Sequence, residues 1–155
     1  SVGAFEHFGK KFYKTFFKKV KNILNDDGIC LLHTIGSIDS PSSPQTWIQK
    51  RIFPGGIVPS LSDMVGPIEK TGLIISDCET LIHHYDKTLK AWLDRFLTHK
   101  DKAKSMYNKE FVRMWEFYLS SCSAAFKFRD LVVYQLQLVK NFTALPSNRR
   151  NYIYQ

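Results

Sequence analysis

The stretch Asn25-Asp-Asp-Gly-Ile-Cys-Leu-Leu-His-Thr-Ile-Gly36 decides the fold of this 155-residue chain. Its Asn-Asp-Asp-Gly turn is a typical helix stop, and the run from Ile29 to Ile35 is apolar apart from His33 and Thr34, which predicts a buried, parallel strand. Upstream, apolar side chains recur at helical spacing between lysines, at Phe12, Phe16, Phe17, Val20, Ile23 and Leu24. Helix, glycine turn and apolar strand together predict an α/β unit.

The same alternation of helix and strand continues along the chain. Ser60 or Ser62 can cap a helix that ends near Gly72, and a second strand begins at Leu73. Two further sets of apolar residues recur at helical spacing, and each predicts one face of a helix. They are Leu89, Trp92, Leu93, Phe96 and Leu97, and Phe111, Trp115, Tyr118, Leu119, Cys122, Ala125 and Phe126. The partly alternating run Leu131–Val139 suits an antiparallel strand. The order helix, strand, helix, strand, two helices, strand predicts the second half of a doubly wound α/β sheet with an antiparallel last strand.

Composition and charge restrict the class of protein. The formal net charge of +8 favours polyanionic partners, and both nucleic acid and anionic phospholipid qualify. Much of that charge lies in the lysine-rich segment Lys10–Lys21, which is equally typical of a solvated helix face. No apolar run is long enough for a membrane span or a secretory signal, so we expect a cytoplasmic protein. Three well-separated cysteines indicate reduced thiols, and no residue spacing indicates a metal site.

Three polar side chains stand in otherwise apolar or aromatic surroundings, namely the carboxylate of Glu6, the imidazole of His33 and the phenol of Tyr85. Together they could form a small anion site or an acid/base site shielded from water. Each also has a plainer interpretation: Glu6 as an acid that favours a helix N-terminus, and His33 as a hydrogen-bonded core residue. The position of His33 near the carboxyl end of a strand favours function, because ligands of open α/β sheets bind beyond those ends.

Four segments, in this order, resemble the C-terminal half of the cyclopropane-fatty-acyl-phospholipid synthase and mycolic acid cyclopropane synthase family: Ser1–Gly9, Leu31–Ile35, His84–Leu89 and Tyr118–Phe126. The resemblance runs to about Val139 and begins in the middle of a domain. It implies that residues 1–142 are the C-terminal part of a class I S-adenosylmethionine-dependent methyltransferase (Rossmann-like) domain, followed by a tail at 143–155. In this family a glycine-rich turn that holds much of S-adenosylmethionine lies upstream, and no such turn occurs in this sequence.

The resemblance also implies roles for individual residues. Glu6, His33 and Tyr85, with the backbone of Ile35, would hold a bicarbonate ion that serves as the base. Val2 and Gly3 would lie beside the adenine ring of S-adenosylmethionine. The acyl channel would be lined by residues that could equally be ordinary core, namely Leu89, Tyr118, Cys122 and Phe126.

The implied activity is that of a cyclopropane-fatty-acyl-phospholipid synthase, which transfers a methylene from S-adenosylmethionine to the cis double bond of an unsaturated phospholipid acyl chain. Alternatives are a related methyltransferase acting on another lipid, an inactive interaction domain, and a basic nucleic-acid-binding module, which we do not expect because Phe12 and its neighbours look buried. We expect peripheral association with the inner face of the membrane through the Lys10–Lys21 helix. We also expect homo-oligomerisation through an exposed sheet edge, and no activity from residues 1–155 alone.

Overall fold

The computed structural model describes residues 1–39, 46–146 and 150–154. The strands are β1 (Ile29–Ser37), β2 (Ile74–Leu81) and β3 (Leu131–Val139). The α-helices are α1 (Tyr13–Ile23), α2 (Thr46–Arg51), α3 (Leu61–Glu69), α4 (His84–Thr98), α5 (Lys100–Met106) and α6 (Lys109–Phe128). Short 3-10 turns occupy Phe5–His7, Lys10–Phe12, Phe142–Ala144 and Arg150–Tyr154.

The connection between β2 and β3 contains one helix more than the sequence predicted. The short helix α5 is separated from α4 at His99 and from α6 at Asn108. The Asn108 side chain accepts a hydrogen bond from the Phe111 amide at 2.7 Å, so it caps α6 and starts a new helix there. The predicted Ser60 cap of α3 is confirmed, since Ser60 and Asp63 form a reciprocal capping box.

The sheet has the strand order β1-β3-β2, and β3 is antiparallel to both neighbours. The antiparallel last strand is therefore confirmed. The prediction for β1 is corrected in part, because its long pairing with β3 is antiparallel and its parallel contacts are isolated bridges, Val2 with His33 and Ser37 with Ser60. At the first of these bridges the His33 amide donates to the Ser1 carbonyl at 2.8 Å. Leu31 remains 42% exposed, so β1 is buried mainly on one face.

One face of the sheet packs against α1 and α3. Its fully buried side chains include Phe5, Tyr13, Phe17, Leu32, Met64, Ile68, Leu136 and Leu138. The prediction that Phe12 is buried is wrong, since half of its surface is exposed whereas Tyr13 is completely buried. The reason is that the helix begins at Tyr13, after a 3-10 turn, so the core stripe starts one residue later than the aromatic pattern suggested.

The other face of the sheet packs, toward one end, against α4 and α6. Its buried cluster consists of Leu89, Tyr118, Leu119, Phe126 and Val133, with Ile35, Tyr85 and Cys122 packed against it. This arrangement brings the start of α4 and the second half of α6 to the end of β1 at which Ile35 lies. None of the helices within the described ranges has the length and apolarity that crossing a bilayer requires.

The C-terminal residues 150–154 lie on the same face of the sheet, farther from that end. Arg150 forms an ion pair with Asp77, in which Nη2 donates to Oδ1 at 2.8 Å, and the Tyr152 hydroxyl donates to the Gln137 side chain at 3.0 Å. The carboxylates of β2 are left uncovered by the helices and attract the guanidinium group. The domain boundary at 142/143 stays a prediction.

Candidate functional site

Glu6 is positioned by the 3-10 turn Phe5–His7, which is anchored by the completely buried Phe5 ring. The Glu6 carbonyl accepts the Ile57 amide at 2.8 Å, which fixes the turn at a second point. Its carboxylate oxygen Oε1 accepts the backbone N–H of Ile35 at 2.8 Å. The other oxygen, Oε2, is buried and has no hydrogen-bond partner among the described residues. An unpaired buried carboxylate oxygen is costly, so this atom is suited to accept a hydrogen bond from a ligand.

His33 precedes Ile35 by two residues on β1, so the two side chains point to the same face of the sheet, about 7 Å apart. The His33 Nδ1 atom lies 3.3 Å from the side-chain oxygen of its cross-strand partner Gln135. Gln135 in turn donates to Glu79 at 3.0 Å. This chain of contacts fixes the orientation of the half-buried imidazole.

Tyr85 lies in the first turn of α4, with its ring centroid 5.0 Å from that of Phe126. Burial raises the pKa of its phenol, and the negative charge of Glu6 and the neighbouring Cys122 raise it further. The phenol therefore stays protonated and can donate a hydrogen bond.

The four residues expected at an acyl channel lie in the same cluster as Tyr85. Leu89 and Phe126 are almost fully buried, and Tyr118 is 7% exposed. Burial raises the pKa of Tyr118 to about 12, with contributions from Cys122 and Tyr85. Burial likewise raises the pKa of Cys122 to about 11, against a small opposing effect of Ser121. A thiol with this pKa is a poor nucleophile at neutral pH, so Cys122 contributes apolar volume rather than covalent chemistry.

Val2 and Gly3, the residues expected beside the cofactor, lie at the edge of β1. Val2 is 74% exposed and forms a parallel bridge with His33. Gly3 has a φ of +66°, a backbone conformation that other residues rarely adopt, and a Cβ placed there would meet open space. This short segment therefore lies directly beside His33, and at Gly3 no side chain covers its backbone.

Tyr13 is a feature of this region that the sequence interpretation missed. Its ring is completely buried and stacks on Phe5 with centroids 4.2 Å apart, and its hydroxyl has no partner in the described part of the chain. Burial raises the pKa of this phenol, and the charges of Asp63 and Glu6 raise it further. The helical spacing between Tyr13 and Phe17 could have indicated that Tyr13 is buried. The predicted buried face instead follows the more numerous phenylalanines.

The geometry therefore brings Glu6, the Ile35 amide, Tyr85 and the cluster of Tyr118, Cys122 and Phe126 to one end of the sheet. His33 lies on the same face of β1, and its imidazole forms a hydrogen bond with Gln135 rather than with Glu6. The backbone of Ile35 was expected to contact an ion, and its N–H donates to Glu6 at 2.8 Å. This contact is favourable because it satisfies a backbone donor and orients the carboxylate.

Known proteins share this arrangement of helices and strands. The solved structure of the mycolic acid cyclopropane synthase CmaA1 complexed with SAH and CTAB superimposes with a TM-score of 0.81 at 30% identity, over 89% of this chain and 53% of that one. The fold is the C-terminal part of a class I S-adenosylmethionine-dependent methyltransferase fold, as the sequence predicted. The profile described as mycolic acid cyclopropane synthetase matches residues 1–136, and the chain belongs to this family.

Two curated relatives are similar over most of the chain. The cyclopropane-fatty-acyl-phospholipid synthase of Escherichia coli (strain K12) is 40% identical over 136 residues, which are 88% of this chain and 35% of that protein. The tuberculostearic acid methyltransferase UfaA1 of Mycobacterium tuberculosis (strain ATCC 25618 / H37Rv) is 34% identical over 148 residues, covering 90% of this chain and 34% of its own length. The chain thus spans about a third of the length of these relatives.

Proposed function

We propose that the protein containing this chain is a cyclopropane-fatty-acyl-phospholipid synthase, which converts the cis double bond of an unsaturated phospholipid acyl chain into a cyclopropane ring. The observation that carries this proposal is the Glu6 carboxylate, whose one oxygen is held by the Ile35 amide at 2.8 Å while the other is buried and unpaired. The 40% identity to the Escherichia coli synthase supports the phospholipid as the substrate.

The reaction requires an electrophilic carbon, surroundings that shield the carbocation intermediate from water, and a base. S-Adenosylmethionine, when bound, supplies a methyl group on a positively charged sulfur, and bicarbonate, when bound, supplies a small base. The methyl carbon forms a bond to one alkene carbon as its bond to sulfur breaks, and the electron pair stays on sulfur. The resulting carbocation on the acyl chain then loses a proton from the former methyl group, and the electrons of that C–H bond close the ring.

The residues of the site suit a bicarbonate ion. Glu6 Oε2 can accept only if the ligand brings its own O–H group, which bicarbonate has and carbonate lacks. Tyr85 stays protonated because burial and Glu6 raise its pKa, so its phenol can donate to a negatively charged oxygen. His33, whose Nδ1 donates to Gln135, would contact the ion from the neighbouring position on β1. Glu6, Tyr85 and His33 in these roles orient the base, and none of them has to take the final proton itself.

The surroundings suit a carbocation. The rings of Tyr85 and Phe126, with centroids 5.0 Å apart, offer π faces that stabilise positive charge without a nucleophile that would trap it. The neighbouring Cys122 has a pKa raised by burial to about 11 and stays a neutral thiol. Water must also be excluded, and the nearly complete burial of Leu89 and Phe126 contributes to that exclusion.

The test is to incubate the intact protein with isotopically labelled S-adenosylmethionine and unsaturated phospholipid, and to identify the acyl product by mass spectrometry. We expect a cyclopropane product, and Tyr85→Phe should reduce kcat at least about tenfold. The matched control is Tyr154→Phe, which removes the phenol of an exposed tail residue and should leave kcat unchanged. Absence of label in any acyl chain would refute the proposal.

A second candidate is a methyltransferase that leaves a methyl branch on a lipid acyl chain, which the similarity to UfaA1 at 34% identity favours. Both reactions share the methyl transfer, but in the second the carbocation loses a proton from a neighbouring chain carbon, which leaves a methyl branch beside a carbon–carbon double bond. The product distinguishes them, because a methyl branch lacks the ring that deprotonation and closure create. A branched product would replace the first candidate with the second.

A further inference from the structure

The turn between α5 and α6 combines positive charge with exposed apolar side chains. Residues Lys102–Lys109 contain Lys102, Lys104 and Lys109 and no acidic residue. Within this segment Met106 is 64% exposed and Tyr107 is 61% exposed, and they are adjacent. We refer to residues Lys102–Lys109 as the α5–α6 corner.

We propose that the α5–α6 corner docks on an anionic phospholipid bilayer, with the Met106 and Tyr107 side chains entering the interface and the three lysines contacting lipid headgroups. The inference rests on the proposed function, because it supplies the surface through which such an enzyme reaches a substrate that resides in a membrane. Adjacent apolar and aromatic side chains surrounded by lysines are typical of segments that bind the boundary between headgroups and acyl chains.

The lysines of the corner are free to meet headgroups. No acidic side chain of the described ranges forms a salt bridge with Lys102, Lys104 or Lys109, whereas the nearby Lys100 is engaged by Glu116 at 2.9 Å. A lysine without a protein partner gives its whole charge to a negatively charged surface. Each such cation near an anionic bilayer strengthens binding by roughly fivefold.

A track of aromatic rings joins the corner to the candidate site. Tyr107 stacks on Phe111 with centroids 4.2 Å apart, Phe111 lies 5.8 Å from Trp115, and Trp115 lies 5.2 Å from Tyr118. Tyr118 belongs to the cluster that contains Tyr85 and Cys122. From Lys109 to Tyr118 the helix rises about 14 Å, close to the hydrocarbon thickness of about 15 Å in one leaflet. The corner therefore lies where an acyl chain could pass from a bilayer toward the site along an apolar path.

The lysine-rich segment Lys10–Lys21 is the competing surface, and it differs from the corner in how its exposed apolar side chains are arranged. Lys10 is paired with Asp63 at 2.9 Å and Lys21 donates to the Thr71 carbonyl at 2.8 Å, whereas Lys11, Lys14, Lys18 and Lys19 form no salt bridge among the described residues. The exposed apolar residues of this region, Phe12 and Ile23, flank α1 at its two ends, roughly 16 Å apart. They cannot form one compact apolar patch as Met106 and Tyr107 do.

The test measures co-sedimentation of the intact protein with phosphatidylcholine vesicles that contain or lack phosphatidylglycerol. Lys102→Glu/Lys104→Glu should weaken binding to the anionic vesicles more than about tenfold. Met106→Ser/Tyr107→Ser should weaken binding as well, with a smaller dependence on salt. The matched control is Lys14→Glu/Lys18→Glu, the same charge change on exposed positions of α1, which should retain most of the binding.

Three outcomes would overturn the inference: no binding to anionic vesicles, an equal or larger loss in the α1 control, or corner substitutions that reduce binding to duplex nucleic acid but not to vesicles. Activity separates this inference from the proposed function. The lysine variant of the corner, Lys102→Glu/Lys104→Glu, should keep turnover of detergent-dispersed phospholipid and lose turnover of vesicles. If no acyl product forms at all while corner variants still lose vesicle binding, the proposed function fails and the docking surface stands.

Discussion

The Glu6 carboxylate accepts the backbone N–H of Ile35 at 2.8 Å, across 29 positions of sequence. This hydrogen bond connects the 3-10 turn that contains Glu6 to the end of β1 at which Ile35 lies. It leaves the second carboxylate oxygen buried without a partner among the described residues. One oxygen thus has a structural role, and the other is available for a ligand.

Glu6→Gln should separate these two roles. The amide oxygen can still accept from Ile35, so the free energy of unfolding should change by less than about 1 kcal/mol. The neutral amide cannot replace the charge at Oε2, so we expect kcat of the intact enzyme to fall by roughly a hundredfold or more. Thermal unfolding and the labelled-methyl assay measure the two effects. Glu6→Ala is the comparison that should lose both, and a Gln variant with unchanged kcat would contradict the assigned role.

Gly36 is required by the close approach of the Tyr134 ring. A Cβ at this position would overlap that ring and lie 3.0 Å from the Pro59 carbonyl oxygen. We expect Gly36→Ala to lower the free energy of unfolding by about 1–3 kcal/mol in denaturant titrations. In a Tyr134→Leu background the added cost should be smaller, because the obstructing ring is gone. Equal costs in the two backgrounds would show that the ring is not the obstacle.

Asp63 should make the protein less stable in acid. Burial acts to raise the pKa of this carboxyl, but hydrogen bonds from Lys10 and Ser60 outweigh burial, so the pKa is lowered in the folded state. A lowered folded pKa means that the stabilisation is fully present above the ordinary pKa of about 4 and is lost as the pH falls below it. Asp63→Asn should therefore cost about 1 kcal/mol at pH 7 and progressively less below pH 4. A cost independent of pH would contradict this assignment.

Cys122 should resist alkylation. Its pKa, raised by burial to about 11, leaves very little thiolate near pH 8. We expect carbamidomethylation at pH 8, followed by peptide mass spectrometry, to be at least about a hundredfold slower than for free cysteine. The rate should rise about tenfold per pH unit while the protein stays folded. Rapid modification of Cys122 in the folded protein at pH 8 would contradict the burial that raises its pKa.

Much of the fold was determined by the sequence itself. The spacing of Phe111, Trp115 and Tyr118 identified α6, and the alternation of Leu131–Val139 identified an antiparallel strand with the observed bounds. These patterns are local, because the periods of helix and strand follow from backbone geometry. The start of the α1 core stripe was misplaced by one residue, because nothing local distinguishes Phe12 in a 3-10 turn from the completely buried Tyr13.

Which residues meet at the site was decided by the tertiary structure. The sequence indicated that Glu6, His33 and Tyr85 could form one site, and the folded chain brings Glu6 to the Ile35 amide, at the end of the sheet where Tyr85 packs. It also directs His33 to Gln135. Contacts between positions this far apart depend on strand register and helix packing, which are set by the whole core. The residue types fix which chemistry is available, and the packing fixes which groups can act together.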